Sequence, residues 1–304
     1  MGEMEITRKF KLALGKIIRR FSWPMKSAAL RYGSRLVPQN DKGIQILLSM
    51  QYEERMRNGL PLPSFEDVGF RVYSQFDEDG ILLYIFSLIG ATDKRCVEIC
   101  AGAGFECNTA NLIINHAWHG LLFDGDPRNI RMGREFFGKH SDTCLTPPKF
   151  VQAWIESGTI DALIKEHGFQ GQIDLLSLDL DGVDYWIWKA IDCIQPRVVL
   201  LEYHCIWGPD EPFTVPNQRD FQCSDDKPGF AGASLAAFVK LGREKGYRLV
   251  GCNRNQLNAF FIRNDIHEDI FPEVSVASCL DHPRITEARR NSYNLVKAQD
   301  WVEV

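Results

Sequence analysis

The sequence predicts an α/β fold built on one mostly parallel, doubly wound sheet that ends in an antiparallel hairpin. From residue 77 onward, short apolar runs alternate with stretches of helical periodicity, and only Asn253–Gln256 separates the last two runs. Strands that alternate with helices form right-handed crossovers and therefore a parallel sheet. A four-residue connection allows only an antiparallel pair, so the final strand is reversed.

The elements follow in a regular order along the chain. Pro127 fits the first position of a helix, with Asp126 before it as N-cap. The predicted strands are Arg95–Cys100, Gly120–Phe123, Lys149–Trp154, Ile173–Leu178, Arg197–Leu201, Tyr247–Cys252 and Leu257–Ile262. The predicted helices are Phe76–Gly90, Cys107–Trp118, Pro127–His140, Thr159–His167, Asp184–Ile194 and Ala233–Lys245.

The first 36 residues form a basic segment. They contain nine Lys/Arg and two Glu, which leaves 26 basic and 38 acidic residues for the rest of the chain. So acidic a body excludes a nucleic-acid groove, which needs clustered Lys/Arg. Helical periodicity over Thr7–Tyr32 predicts a basic amphipathic helix. It has two interpretations: a helix lying on an anionic membrane surface, or one docked on its own domain or on a partner.

Three regions are predicted: a basic helical arm (1–60), a main domain (61–265) and a C-terminal tail that packs on it (266–304). The longest apolar run, Ile81–Ala91, is shorter than the roughly 20 residues that span a bilayer. Nine cysteines without CxxC spacing indicate reduced thiols. Together with the lack of a signal-peptide pattern, they predict a cytoplasmic protein.

A glycine turn follows the first strand, in the run Val97-Glu98-Ile99-Cys100-Ala101-Gly102-Ala103-Gly104. Small residues such as Ala101, Gly102 and Gly104 let the backbone approach a ligand closely, and the following helix offers free N–H groups. The third glycine of the dinucleotide fingerprint is missing, because Cys107 stands in its place. The turn therefore predicts a ligand other than a dinucleotide.

Asp124 ends the second strand, 26 positions after Glu98, and Gly125 follows it. An acidic residue at this point is placed to accept the hydroxyls of a ribose. A rival interpretation makes Asp124 and Asp126 a pair that holds a divalent metal on a sugar nucleotide, as in glycosyltransferases. That interpretation leaves the glycine turn and the terminal hairpin unexplained.

A second group of polar residues follows the fourth and fifth strands. Asp179 and Asp181 alternate onto one side, and Glu202 ends the neighbouring strand. Because the carboxyl ends of parallel strands share one edge, we expect these acids to gather there. One Asp suits a general base, or the three together suit Mg²⁺. His204 is another candidate base, and Asp184 is predicted to cap the next helix.

These residues make the chain resemble the FkbM-like family of class I S-adenosylmethionine-dependent methyltransferases, over about Ser74–Arg263. The matching stretches are Ser74-Gln75-Phe76-Asp77-Glu78-Asp79-Gly80, Glu98–Gly104, Asp124 and Ile173–Gly182. Two residues depart from the family pattern: Ala101 replaces the first glycine, and Asp181 replaces a Glu. The resemblance implies a Rossmann-like fold with a seven-stranded sheet.

The resemblance also implies where S-adenosylmethionine binds. Its methionine end would lie against Gln75, Glu98 and the turn Ala101–Gly104, its ribose on Asp124 beside Gly125, and its methyl near Asp179. Trp154 is assigned to the adenine by its position alone.

The implied activity is O-methylation of a hydroxyl on a sugar, glycan or small natural product. Mg²⁺ is a possible aid, and the long loop Cys205–Gly232 is the expected acceptor-binding segment. The alternative is a non-catalytic methyltransferase-like scaffold that docks through its basic arm.

Overall fold

The computed structural model describes residues 40–219, 221–224 and 226–304, so the helix predicted at Thr7–Tyr32 lies outside the described residues. The chain divides after Ile46 into two units, and the second, Leu47–Val304, contains the whole sheet. A helix that the sequence did not predict, α1 (Asn40–Arg57), precedes the sheet.

The described strands are β1 (Arg95–Ile99), β2 (His119–Asp124), β3 (Lys149–Gln152), β4 (Gly171–Leu178), β5 (Ile194–Glu202), β6 (Phe213–Thr214), β7 (Tyr247–Cys252), β8 (Asn258–Arg263) and β9 (Val302–Glu303). Seven of them form the main sheet, in the order β3-β2-β1-β4-β5-β8-β7. Strands β1 to β5 pair in parallel, whereas β8 runs antiparallel to both β5 and β7. The prediction of a mostly parallel sheet with a reversed final strand is therefore confirmed.

Helices cover both faces of the sheet and bury two apolar layers. The helices after α1 are α2 (Phe65–Val68), α3 (Glu78–Ile89), α4 (Ala110–His116), α5 (Pro127–Lys139), α6 (Ile160–Glu166), α7 (Asp184–Ala190), α8 (Leu235–Lys245), a 3₁₀ helix (Val276–Cys279) and α9 (Pro283–Lys297). Helices α3, α4 and α5 pack on one face of the sheet, and α6, α7 and α8 pack on the other. Each described helix is too short or too polar to cross a bilayer.

Helix α7 ends four residues before the predicted Ile194, which instead begins β5. The cause lies on the preceding helix. Asp161 Oδ1 accepts the backbone N–H groups of Asp192 and Cys193, both at 3.0 Å. These two bonds hold the chain in a turn after α7 and stop the helical hydrogen-bond pattern.

The last forty residues include α9 and β9, which hold the long loop 205–232 in place. Strand β9 pairs with the two-residue strand β6 inside that loop. From α9, the Arg289 guanidinium donates to the carbonyl oxygens of Cys205, Ile206 and Trp207, at 3.3, 2.9 and 2.8 Å. The first part of the loop is thus held by the C-terminal segment rather than by its own sequence neighbours.

Candidate active site

The carboxyl ends of β1, β2, β4 and β5 meet at one edge of the sheet, where two non-glycine residues have positive φ. Cys100 follows β1 and Asp181 follows the neighbouring β4, and their φ angles are 64° and 55°. A side chain in this left-handed region costs about 1–2 kcal/mol. Strain of this kind persists where surrounding contacts enforce it, and it clusters at functional sites.

Two glycines of the turn after β1 have positive φ, and the space beside each of them differs. A Cβ atom on Gly104 (φ 73°) would lie 2.7 Å from the Phe150 ring. A Cβ atom on Gly102 (φ 57°) would meet no described atom within 4 Å. Gly104 is therefore required by packing, whereas Gly102 borders open space where a ligand can approach the backbone. Ala101 is buried, and its N–H donates to the carbonyl oxygen of Phe123 at 2.9 Å.

Asp124 ties this turn to the end of β2. Its Oδ2 accepts the N–H of Gly102 at 3.0 Å, and its Oδ1 accepts the Asp126 N–H at 2.7 Å and the Asn129 side-chain amide at 3.0 Å. A carboxylate offers about four lone pairs. The described partners occupy three of them, so one position on Oδ2 stays open, and Asp124 keeps 9% of its surface exposed.

Asp126 caps α5, as the sequence predicted. Its carboxylate accepts the N–H of Arg128 at 2.8 Å and pairs with the guanidinium of the same residue at 2.6 Å. Bonding to Arg128 lowers the pKa of Asp126 below its usual value. Because Asp126 is engaged in this way, the interpretation of Asp124 and Asp126 as a metal-holding pair has no support in the geometry.

Trp154 extends from the chain just beyond β3 and lies over Gly125. A Cβ atom on Gly125 would come within 2.7 Å of the indole ring, so only glycine fits beneath it. The Ala153 N–H donates to the carbonyl oxygen of Asp124 at 3.1 Å, which fixes the two segments side by side. Trp154 is nonetheless 55% exposed, an unusual state for so large an apolar side chain.

Glu98 is buried and bonds to its own chain. Its carboxylate accepts the N–H groups of Asn108 and Thr109, both at 2.9 Å, in the segment that leads into α4. Glu98 thus holds the chain beyond the glycine turn. The structure brings it to the predicted place but leaves its assignment to the cofactor a prediction.

Gln75 lies exposed in the segment that precedes α3. The segment is anchored by Glu78, which accepts the Phe76 N–H at 3.0 Å and the side-chain amides of Asn253 and Asn258 at 2.8 and 2.7 Å. The hairpin β7–β8 therefore positions the stretch that carries Gln75. No local pattern predicts this contact, because its partners lie about 175 positions apart.

Asp179, Asp181 and Glu202 come together beyond β4 and β5. Each offers a carboxylate oxygen, and the three oxygens lie within 4.8 Å of one another. Burial raises the pKa of Asp179 and of Glu202, and the negative charge of Asp179 raises that of Glu202 further. The close approach of the two carboxyl groups favours one proton on the pair at neutral pH, because two adjacent carboxylates repel each other.

Asp184 does not cap α7, so that prediction is wrong. Val183 is the N-cap residue, and its side chain makes no capping bond. The buried Asp184 carboxylate instead accepts the backbone N–H groups of Leu180 and Gly182, at 2.7 and 3.0 Å. It thereby clamps the loop that holds Asp181 at positive φ. An Asx turn bonds to backbone that follows the Asp, whereas Asp184 bonds to backbone that precedes it, so no local pattern predicts this role.

His204 is not part of the three-carboxylate group among the described residues. Its ring packs against Trp301 with 5.5 Å between ring centroids, and its backbone N–H donates to Ala233 at 2.7 Å. Burial lowers the pKa of His204 to about 4, so the ring is neutral at pH 7. Its Nδ1 atom is buried and bonds to no described group.

The second part of the long loop lies over the end of β4. The Cys223 thiol donates to the carbonyl oxygen of Asp181 at 2.7 Å. A Cβ atom on Gly182 would lie 2.7 Å from the Phe221 ring, so the loop packs directly on this glycine. The segment that was expected to bind an acceptor therefore packs against the loop that carries Asp181, whose side chain stays exposed.

Known proteins are only distantly similar to this chain. No protein-family model matches the chain, and no curated protein matches it in sequence. One similar solved structure is the methyltransferase domain of bacterial CtHen1-C, which is 10% identical, covers 61% of this chain and 97% of its own, and has a TM-score of 0.41. A second is the N-terminal domain of EvdMO1 with SAH bound, at 15% identity, 70% and 94% coverage and a TM-score of 0.39. A third is magnesium protoporphyrin IX methyltransferase (ChlM) from Synechocystis PCC 6803 with bound SAM, at 10% identity, 55% and 69% coverage and a TM-score of 0.34.

Similarities this weak carry no inference about activity. The strand order and the reversed β8 of the chain itself define its fold. The protein has the Rossmann-like fold of class I methyltransferases.

Proposed function

We propose that the protein is an S-adenosylmethionine-dependent methyltransferase of the FkbM-like type, acting on a hydroxyl of a sugar, glycan or small natural product. The observation that carries this proposal is the open space beside Gly102, with the open position on Asp124 next to it. A backbone without a side chain and a carboxylate with a free lone pair are what a nucleoside cofactor requires at adjacent strand ends.

The cofactor would be held by residues from four segments. Asp124 Oδ2 has room for one ribose hydroxyl, and a second would require Asn129 to leave Oδ1. The exposed Trp154 ring offers an apolar face to an adenine. The methionine end would lie along Gln75 and the turn Ala101–Gly104, with Glu98 holding the chain beyond that turn.

When bound, S-adenosylmethionine supplies an activated methyl group and a neutral leaving group. The chain must then align the acceptor and take its proton. We assign the proton to Asp179, because a raised pKa makes its carboxylate a stronger base than an ordinary Asp. His204 is the second candidate, but a pKa of about 4 makes its ring a weaker base.

Mg²⁺ is the alternative to a general base at Asp179, and it fits the donor set that the chain offers. Asp179, Asp181 and Glu202 are three carboxylates in reach of one point, and hard divalent cations prefer oxygen ligands. Burial and the neighbouring Asp179 charge raise the pKa of Glu202 to about 9, so the group keeps a proton at neutral pH. A divalent cation held by these residues would replace that proton and lower the pKa of an acceptor hydroxyl.

Calorimetric titration of the full chain tests the proposal. We expect micromolar binding of S-adenosylmethionine and S-adenosylhomocysteine, and none of NAD or of a UDP-sugar with Mn²⁺. Binding of the UDP-sugar alone would replace the proposal with a glycosyltransferase. Binding of none of them would favour the scaffold alternative, which also expects no methyl transfer to any hydroxylated acceptor.

The variant Asp124→Ala is expected to weaken the binding of S-adenosylhomocysteine by about 10–150-fold. This corresponds to the roughly 1.5–3 kcal/mol of a hydrogen bond to a charged group. The matched control is Asp126→Asn, which changes the neighbouring carboxylate that faces Arg128. Equal affinity in wild type and Asp124→Ala would remove Asp124 from the cofactor site.

Binding of Mg²⁺ is expected to strengthen as the pH rises. Because the folded-state pKa values of Asp179 and Glu202 are raised, the pair keeps its proton at neutral pH and a cation must displace it. The variant Glu202→Gln removes one ligand and the proton of the pair, so we expect weaker binding and a flatter pH dependence. Titration calorimetry from pH 6 to pH 9 measures both, with Asp210→Asn as an exposed control.

If Mg²⁺ affinity is the same at every pH, or if Glu202→Gln matches wild type, the metal assignment is wrong. The cofactor assignment does not depend on this result, since the two titrations use separate ligands.

A further inference from the structure

A cleft lies beside the hairpin β7–β8, apart from the residues assigned to the cofactor and to the carboxylate group. Its volume of about 430 Å³ falls within the roughly 300–1,000 Å³ of small-molecule sites. The described lining comes mainly from segments 62–66, 250–256 and 270–281. Part of it is an aromatic wall, formed by Phe65, Tyr84 and Phe271. The cleft therefore has the size and the apolar lining of a ligand site.

Packing fixes the aromatic wall in place. A Cβ atom on Gly251 would come within 2.7 Å of the Phe65 ring, so β7 leaves room for this ring only because residue 251 is glycine. Phe271 lies edge-on to Tyr84, with 5.8 Å between ring centroids. The Tyr84 hydroxyl donates to the carbonyl oxygen of Pro63 at 2.9 Å. The wall is thus preformed, and a ligand that enters the cleft loses little affinity to the ordering of these side chains.

Most polar side chains of the cleft are already bonded to the chain itself. The Asn253 amide donates to Glu78 at 2.8 Å, and its oxygen accepts two backbone N–H groups of the hairpin. The Gln256 amide donates to Asp281 at 2.5 Å, and its oxygen accepts the His282 N–H at 2.7 Å. The hydroxyls of the two lining serines donate within their own turns. Groups engaged in this way cannot recognise a ligand without giving up a partner.

Arg254 and Glu66 differ from these side chains. Both are exposed residues of the cleft, and neither side chain makes a hydrogen bond or an ion pair with a described residue. The Arg254 backbone N–H donates to Asp77 at 3.2 Å, which holds the hairpin turn but leaves the guanidinium donors available. A guanidinium pairs with a carboxylate, and a carboxylate pairs with an ammonium group. A ligand that satisfies both side chains must therefore carry both charges.

We propose that this cleft binds a free amino acid with an aromatic side chain. The ligand carboxylate lies on the Arg254 guanidinium, its ammonium group lies on Glu66, and its ring packs on the aromatic wall, where edge-to-face contacts favour another aromatic ring. A sugar is a poorer fit, because its hydroxyl groups require several unoccupied polar partners. The cleft is thus a second binding site, in addition to the one proposed for the cofactor.

Ligand-observed saturation-transfer NMR on the full chain tests this site, with L-phenylalanine as the probe. Saturating S-adenosylhomocysteine is present, because its methionine end is itself an amino acid and would compete for any binding at the cofactor site. We expect saturable binding of phenylalanine whether or not S-adenosylhomocysteine binds, so the two proposals fail separately. Phenylpropionate lacks the ammonium group and phenylethylamine lacks the carboxylate, so each should bind about tenfold more weakly.

Two variants locate the binding. Arg254→Gln and Glu66→Gln are each expected to weaken the binding of phenylalanine by about tenfold, since each removes one charge-assisted contact. Both changes affect exposed side chains, so the fold should be retained. The matched controls are Arg290→Gln and Glu287→Gln, which change exposed residues of α9 outside the cleft and should bind phenylalanine as wild type does.

The proposal is overturned if phenylalanine shows no saturable binding at millimolar concentrations, or if Arg254→Gln binds it as tightly as wild type. It is equally overturned if phenylpropionate binds as tightly as phenylalanine, because Glu66 would then recognise nothing on the ligand.

Discussion

Replacing Asp174 by alanine is expected to lower the free energy of unfolding by about 3–5 kcal/mol, because it leaves the buried Arg197 guanidinium without a counter-charge. The Asp174 side chain is fully buried and lies 3.0 Å from the Arg197 guanidinium. It also accepts the backbone N–H groups of Thr92, Asp93 and Lys94, between 2.7 and 3.0 Å. One carboxylate therefore joins β4, β5 and the loop before β1.

The measurement is urea unfolding, in which the midpoint should fall while the slope stays constant. Asp192→Ala is the matched control, since Asp192 pairs with Lys245 on the surface, where an ion pair contributes about 0–1 kcal/mol. A loss for Asp174→Ala no larger than the loss for the control would contradict the argument.

The effect of Asp174→Ala is also expected to depend on pH. Burial favours the neutral acid, but the hydrogen bonds from Thr92 and Arg197 outweigh it and hold the pKa below the usual 3.8. A lowered folded-state pKa contributes stability that is present above the unfolded-state pKa and lost as the pH falls through the folded-state pKa. The difference between wild type and variant should therefore shrink below about pH 4.

Much of the fold could be predicted because its signals are local. The strands of a buried parallel sheet are short apolar runs, and Pro127 after Asp126 marks a helix start. Helix α1 had no such signal, because its apolar residues form no buried stripe. Several of them are exposed: Ile44, Ile46, Leu47 and Met50. Strands β6 and β9 have two residues each and pair across about 90 positions, which no local pattern encodes.

Part of the candidate site could likewise be predicted from the sequence, and part of it could not. Asp179, Asp181 and Glu202 could be brought together from topology alone, because they follow adjacent parallel strands. The surroundings of His204 could not, since Trp301 reaches its ring from the C-terminal segment. Asp124 shows the limit of a motif, which gives the position of a carboxylate but not how many of its lone pairs the chain itself occupies.

The glycine turn allows stability and ligand binding to be separated with two similar substitutions. Gly104→Ala places a methyl group against the Phe150 ring at positive φ, so we expect a loss of about 2–5 kcal/mol from strain and overpacking together. Gly102→Ala has the same backbone penalty but no described neighbour, so we expect a loss of only about 1–2 kcal/mol.

Ligand binding should reverse this order between the two variants. The new methyl group of Gly102→Ala projects into the space that the proposed cofactor requires, so S-adenosylhomocysteine should bind at least about tenfold more weakly, or about 1.4 kcal/mol. Gly104→Ala points its methyl group into the protein, so whatever fraction remains folded should bind with an affinity closer to that of wild type. Urea unfolding and calorimetry on the same preparations give both quantities. Wild-type affinity in Gly102→Ala would mean that the ligand does not approach this turn, whatever the stability of the two variants.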